Sequence, residues 1–188
     1  MKKYYLFALI LVLLAGCRTN NIQNSLKPVY VTNTKPMYLL APENAEGEVE
    51  SYQLLNGKFG DKNFTLLCYI ISNKDGINIT LLNDFGTDMG NLSYDGVQAQ
   101  FESVVFSENL PAEYILLDIQ NAYYKKESLE KAYKLAGLTF VEENDEESVI
   151  RTVKSGKKIV EVITKTGNYI KIQNSLRGYE YDLIDGEE

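Results

Sequence analysis

Phe64-Thr65-Leu66-Leu67-Cys68-Tyr69-Ile70-Ile71-Ser72, then Asn73-Lys74-Asp75-Gly76, then Ile77-Asn78-Ile79-Thr80-Leu81-Leu82, is the stretch that decides the fold. Two apolar runs rich in β-branched residues flank a polar turn signal, which reads as a β-hairpin. Asp75-Gly76 supplies the positive φ that a tight hairpin turn needs. The first run is nearly all apolar and reads as a strand buried on both faces. The second alternates, with Ile77, Ile79 and Leu81 to one side and Asn78 and Thr80 to the other.

Working outward, strands fit residues 48–59 before the hairpin, and 90–94 and 97–106 after it, the last two joined at Asp95-Gly96. The period then changes. Pro111 suits a first helical turn. Ala112, Ile115, Leu116, Ile119, Ala122 and Tyr123 recur at helical spacing. Leu129, Ala132, Tyr133 and Ala136 repeat it, and Gly137 closes a second helix. Strands at 138–142, 149–153, 159–164, 169–173 and 179–184 complete the chain. Strands, two helices, then strands is an α+β order, with both helices on one face of a strongly curved antiparallel sheet. Upstream, 29–40 reads as extended chain broken by Pro28 and Pro36, and 42–48 as a loop.

At the N-terminus, Lys2 and Lys3 precede an apolar run over residues 4–14, closed by Leu14-Ala15-Gly16-Cys17. Charge, apolar run and small residues read as a secretory signal peptide. The cysteine makes it resemble a bacterial lipobox. The run, about a dozen residues, is too short to span a bilayer as a helix. The expected organisation is a signal peptide at 1–16, a lipidated N-terminus and flexible tether at 17–37, and one domain at 38–188. Cys17 would carry palmitate-type chains, two or three of which make anchoring stable. Arg18 follows it rather than aspartate, so the expected location is the outer membrane, facing the periplasm.

The formal net charge is −7. Loss of Lys2 and Lys3 would take it to about −9. That argues against nucleic acid as a partner and against a broad electrostatic grip on anionic lipid. There is no histidine, which removes the Ser-His-Asp and Cys-His arrangements and the commonest zinc ligand. The chain is therefore read as no enzyme, with no cofactor and no metal. Cys68, inside an apolar strand, reads as a small buried hydrophobe with no disulfide partner.

Three polar features were weighed. The run Glu142-Glu143-Asn144-Asp145-Glu146-Glu147 lacks calcium-loop spacing and reads as a solvated hairpin tip. Glu113 and Asp118 fall on different sides of a helix and read as solvated. Asn83-Asp84-Phe85-Gly86-Thr87-Asp88 is a polar turn with an aromatic at its centre and Met89 close behind. Phe85 either folds back on the core or forms an exposed contact.

Thr80-Leu81-Leu82-Asn83-Asp84-Phe85-Gly86-Thr87 followed by Leu92-Ser93-Tyr94-Asp95-Gly96 resembles the strand-loop-strand of the LolB-like outer-membrane lipoproteins. With Leu110-Pro111-Ala112-Glu113 and the ending Gly178-Tyr179-Glu180-Tyr181-Asp182-Leu183, the chain more closely resembles the DUF3261 lipoproteins, relatives of LolB often encoded with aryl-polyene or flexirubin genes. The resemblance implies a half-open antiparallel β-barrel covering a hydrophobic cavity, closed by two helices. It departs from the family in having Tyr123-Tyr124 where a tryptophan is usual. It further implies a protein that binds an acyl chain, polyene lipid or lipoprotein acyl chain and assists its transfer into the outer membrane, with a periplasmic LolA-like carrier as partner. Burial in such a cavity is worth about 0.8 kcal/mol per methylene. The inward periodicities nominate Leu66, Ile79, Leu81, Phe101, Ile115, Leu116 and Ile119 as its lining, and Phe85 and Met89 as a membrane-contact loop. The rivals are a structural or partner-binding envelope lipoprotein with a filled barrel, and a lipid-modifying enzyme that uses carboxylates.

Overall fold

The computed structural model describes residues 26–59, 61–106 and 111–186. The expected signal peptide, the expected lipidation site Cys17 and the first part of the expected tether lie outside the described residues, as does Leu110. Twelve strands and two helices follow in order: β1 (Val29–Thr32), β2 (Lys35–Met37), β3 (Val49–Phe59), β4 (Lys62–Asn73), β5 (Gly76–Leu82), β6 (Asp88–Tyr94), β7 (Ala99–Ser103), α1 (Ala112–Tyr123), α2 (Lys126–Leu135), β8 (Thr139–Asn144), β9 (Val149–Ser155), β10 (Lys158–Thr166), β11 (Tyr169–Asn174) and β12 (Tyr179–Asp185).

Ten strands form one sheet in the order β7-β6-β5-β4-β3-β12-β11-β10-β9-β8. It consists of two meanders, each built from consecutive antiparallel neighbours, the simplest connection a chain can make. They join where β12 pairs with β3, Leu183 opposite Leu55. The helices link β7 at one edge to β8 at the other.

The hairpin that fixes the sheet is present, with two differences. β4 alternates strictly: Phe64, Leu66, Cys68 and Ile70 point inward, while Leu67, Tyr69 and Ile71 are half-exposed outside. The expectation of burial on both faces is therefore corrected, because only one face carries helices. Gly76 does not have positive φ. Asn73 Oδ1 accepts from the N–H groups of Asp75 (2.9 Å) and Gly76 (3.2 Å) and shapes the turn instead. Glycine is required there for space, since a Cβ would sit 2.4 Å from the carbonyl oxygen of Tyr94. Gly76→Ala should cost about 1–3 kcal/mol by forcing β5 from β6. Urea unfolding checks this, and an unchanged midpoint would show that the strands separate freely.

The half-open barrel over a cavity does not form. β7 and β8 are the two edges of an open sheet and do not pair with each other. The inner face is filled. Residues 29–40, expected as broken extended chain, make the β1–β2 hairpin, with Pro36 tolerated in a two-stranded sheet. Val29, Val31, Met37 and Leu39 join the same buried cluster as Leu66, Ile79, Leu81, Leu116 and Ile119. Leu26 is in it too, so 26–37 belongs to the packed fold rather than to a tether. Side chains from the hairpin and the helices occupy the space where the expected ligand would lie. The roughly 270 Å³ hollow at Asp75, Asn78, Tyr94 and Asp95 is open and lined largely by polar groups. Binding an acyl chain inside the domain, and its transfer from there, is thereby overturned.

Candidate functional site

Polar chemistry concentrates beneath α1. Every residue from Leu116 to Tyr124 is buried, including Asp118, Gln120 and Asn121. Gln120 is held by Leu40, donating to its carbonyl and accepting from its N–H, each at 2.9 Å. Asp118 faces Glu161 of β10, and the two carboxyl groups hydrogen-bond to one another. Asn121 Nδ2 donates to Glu161 Oε1 at 2.9 Å, and Asn174 Nδ2 donates to Oε2 at 3.1 Å. The Tyr133 hydroxyl of α2 donates to Asn121 Oδ1 at 2.9 Å. The Tyr179 hydroxyl lies 3.0 and 2.8 Å from the two Asp118 oxygens, and the Tyr181 hydroxyl donates to Oδ2 at 3.2 Å.

Burial, and then the charge of Glu161, push the Asp118 carboxyl well above the usual carboxylate range. Burial raises Glu161 as well, opposed by hydrogen bonds from Asn121, Asp118 and Asn174. Two touching carboxyls cannot both ionise, so the pair holds one proton, carried by Asp118 and given to Glu161. Burial, and then the negative charge of the carboxyl pair, likewise raise Tyr179 and Tyr181. All four carboxyl oxygens have protein partners and both groups are buried. The arrangement can store a proton.

A second buried group ties the helix end down. Arg151 of β9 is 1% exposed. Its Nη1 lies 2.9, 3.0 and 3.0 Å from the carbonyl oxygens of Asn121, Ala122 and Tyr124. These are carbonyls that the end of α1 leaves unsatisfied, where positive charge is favoured. Nε donates to Glu142 at 2.8 Å and Nη2 to Glu46 at 3.1 Å. Lys165 adds a bond to the Ala122 carbonyl at 3.1 Å and lies over the Tyr123 ring. Burial, and then Arg151, lower its pKa.

Several exposed apolar side chains gather at one end of the sheet. Strand register brings the β3–β4, β5–β6, β9–β10 and β11–β12 turns, and the end of β7, to that end. Phe85, in the β5–β6 turn, is 93% exposed. Asn83 Oδ1 holds the turn by accepting from the N–H of Phe85 and of Thr87, each at 2.9 Å, and Gly86 takes a φ of 74°. Val104 and Val105, just past β7, are exposed as well. The described chain starts here too: Lys27 N–H donates to Glu113 in the first turn of α1 at 3.1 Å, and Arg177 of the β11–β12 turn donates to the Tyr30 carbonyl at 2.7 Å.

Charge is divided between the two ends. From β4 across to β9, the loop-end turns and their flanks expose Lys62, Arg177, Lys157 and Lys158, with Asp61 as the acid among them. Asp84 and Asp88 flank Phe85. The opposite end exposes Asp75, Asp95, Asp145, Glu146 and Glu147 in its turns and Glu48 just before β3, with Lys74 and Lys125 as cations.

The sequence-derived residues fall as follows. Leu66, Ile79, Leu81, Leu116 and Ile119 are buried, and Phe101 and Ile115 are half-buried against the same core. Phe85 projects, while Met89 turns inward onto the core. Cys68 is buried, and burial pushes its thiol up to about 12, so it is inert. Glu142 faces Arg151, and Asp145 accepts from the N–H groups of Glu147 and Ser148, so the acidic tip is engaged in its own turn. Glu113 and Asp118 are buried rather than solvated, a correction. The signal was available: α1 contains no lysine or arginine, and neutral Gln120 and Asn121 sit among its apolar residues. A helix without a charged solvent face is a buried helix.

An open ten-stranded antiparallel sheet, with a helix pair and a hairpin on one face and a buried carboxyl pair between them, defines an α+β protein. Residues 50–183 match the model of the family described as "Protein of unknown function (DUF3261)", and the chain belongs to that family. No curated protein matches it.

Proposed function

We propose that this is a lipid-anchored envelope protein that acts by binding rather than catalysis. It is held by acyl chains on Cys17 in the outer membrane, on its periplasmic side, with the Phe85 end of the sheet against the bilayer. One observation carries the reading: the exposed Phe85 turn and the start of the described chain share one end of the molecule. Eight residues, and so nine Cα–Cα steps, separate Cys17 from Leu26. Fully extended they reach about 30 Å at most, so an anchor at Cys17 keeps that end near the surface.

The sheet then stands on the membrane and its outward face is free for a protein partner. That face carries a cross-strand row of Ile184, Leu54, Leu67 and Leu82, beside the Tyr52 and Tyr69 rings stacked at 4.5 Å. Grouped exposed apolar side chains are what such contacts use.

Membrane fractionation and palmitate labelling test the anchor. Cys17→Ala should abolish label incorporation and leave the precursor uncleaved or mislocalised. Phe85→Glu should change folding stability by no more than about 0.5 kcal/mol, because the ring contributes little to the core. Its loop amides should nonetheless exchange faster on vesicles than those of the parent chain. Mature protein in the soluble fraction without loss of acyl mass would overturn the anchor. A sharp fall in melting temperature for Phe85→Glu would make the ring a core residue.

A further inference from the structure

We infer that the loop end is a reader of anionic lipid headgroups, an inference that rests on the anchored orientation proposed above. The net charge of −7 argues against such a contact only if charge is evenly spread. It is not. The basic side chains of Lys62, Arg177, Lys157 and Lys158 come from three different turn regions, yet register aligns them along one end of six adjacent strands. The acidic turns at 75, 95 and 145–147 are at the far end of the same sheet.

This division follows from the topology. In a meander, alternate turns fall at opposite ends, so charges separated in sequence by dozens of residues gather by turn parity. Among the described residues Arg177 makes no ion pair with a carboxylate: it donates to the Tyr30 carbonyl and lies over the Tyr114 ring, which leaves its charge intact. Lys157 and Lys158 are exposed, and Ile159 beside them is 44% exposed. Basic residues next to an exposed apolar one suit a headgroup region, where the cation meets phosphate and the apolar group enters the acyl boundary.

The charge division also orients the molecule. A negative surface attracts the basic turns along β4 to β9 and repels the acidic far end; Asp84 and Asp88, at the neighbouring β5–β6 turn of the same end, lie outside that basic stretch. The attraction and the repulsion both act within about a Debye length, roughly 8–10 Å at physiological salt, which is less than the length of the strands. The tether would hold the protein near the surface, and the charge division would turn its basic turns downward.

The experiment uses the full acylated chain reconstituted in vesicles of phosphatidylcholine, with or without phosphatidylglycerol. Lysines are acetylated by a water-soluble reagent and quantified by mass spectrometry. Lys62, Lys157 and Lys158 should label roughly fivefold more slowly on the phosphatidylglycerol vesicles, and the difference should vanish in high salt. Lys74 and Lys125 at the far end should label equally on both. The double variant Lys157→Glu/Lys158→Glu, at exposed positions, should keep the fold and lose the protection of Lys62. A chain that floats with both vesicles yet labels alike at both ends overturns this inference and leaves the anchor standing. Equal protection of the loop end on both vesicles means apolar contact alone and also overturns it. A chain that floats with neither removes the anchor, and the inference with it.

Discussion

Replacing Arg151 should produce the largest loss of stability of any single substitution at a polar position. Arg151→Met preserves most of the volume but removes the donors to three α1 carbonyls and the bond to Glu142, whose side chain is only 12% exposed. Breaking a buried ion pair by removing one partner costs about 3–5 kcal/mol, because the remaining group stays buried without compensation. For a chain of this size that corresponds to a fall in melting temperature of roughly 10 °C. Arg151→Lys should recover little of it, since one ammonium cannot span the carbonyl trio and Glu142 as a planar fork does. Lys171→Met supplies the contrast. Its pair with Glu180 is 3.5 Å long with both side chains a third or more exposed, so the change should cost less than about 1 kcal/mol. Thermal unfolding of the three variants checks this. If Arg151→Met melted close to the parent, Arg151 would not hold the end of α1.

The positions of the strands and helices are legible in this sequence because each signal is local. Period-two alternation marks β5 and β12, and Gly137 and Pro111 bracket the helical stretch. Each expected strand from 48 to 184 has its counterpart within a few residues. What is not legible depends on what lies across from a residue. Pro28 and Pro36 argue against a central strand, and that is correct, but a two-stranded hairpin tolerates Pro36. Whether Val29, Val31 and Met37 point at the core or at solvent is a matter of docking, not of local pattern. That hairpin helps the helices to fill the inner face, where the resemblance implies a cavity. Asp118 is misread for the same reason. Helical spacing says which residues share a face, while the partners that make its burial tolerable, Glu161, Tyr179 and Tyr181, lie 40 or more residues away. The loop-end charges are the reverse case. Each is visible in the sequence, but only the alternation of turns shows that they gather.

The two members of the buried pair should respond differently to replacement by the amide. In Asp118→Asn the amide nitrogen replaces the proton-bearing oxygen, donates to Glu161, and leaves one oxygen to accept from Tyr179 and Tyr181. The geometry survives and no proton need be captured on folding. Glu161→Gln has no such solution. Both Glu161 oxygens accept from amide nitrogens, of Asn121 and Asn174. Neither amide can turn over: Asn121 Oδ1 accepts from Tyr133, and Asn174 Oδ1 accepts from the Arg177 N–H at 2.9 Å. A glutamine would therefore set donor against donor, at a cost of about 1–3 kcal/mol. The pH dependence separates them further. The Asp118 carboxyl is raised above its unfolded value by burial and by Glu161. Above the ordinary carboxylate range the native state thus holds a proton that the unfolded chain has released. The stability it confers is full below the unfolded pKa and is lost as pH rises through the folded one. Denaturant titrations at stepped pH should show the parent losing stability above the carboxylate range and Asp118→Asn losing less. Acidification brings in groups with the opposite sign. Asp95 and Asp145 accept backbone N–H bonds that lower their pKa, so their contribution is lost as pH falls and should be common to both chains. A parent and Asp118→Asn with parallel profiles would mean that the pair holds no proton. Glu161→Gln as stable as Asp118→Asn would mean that the amides around it are free to turn.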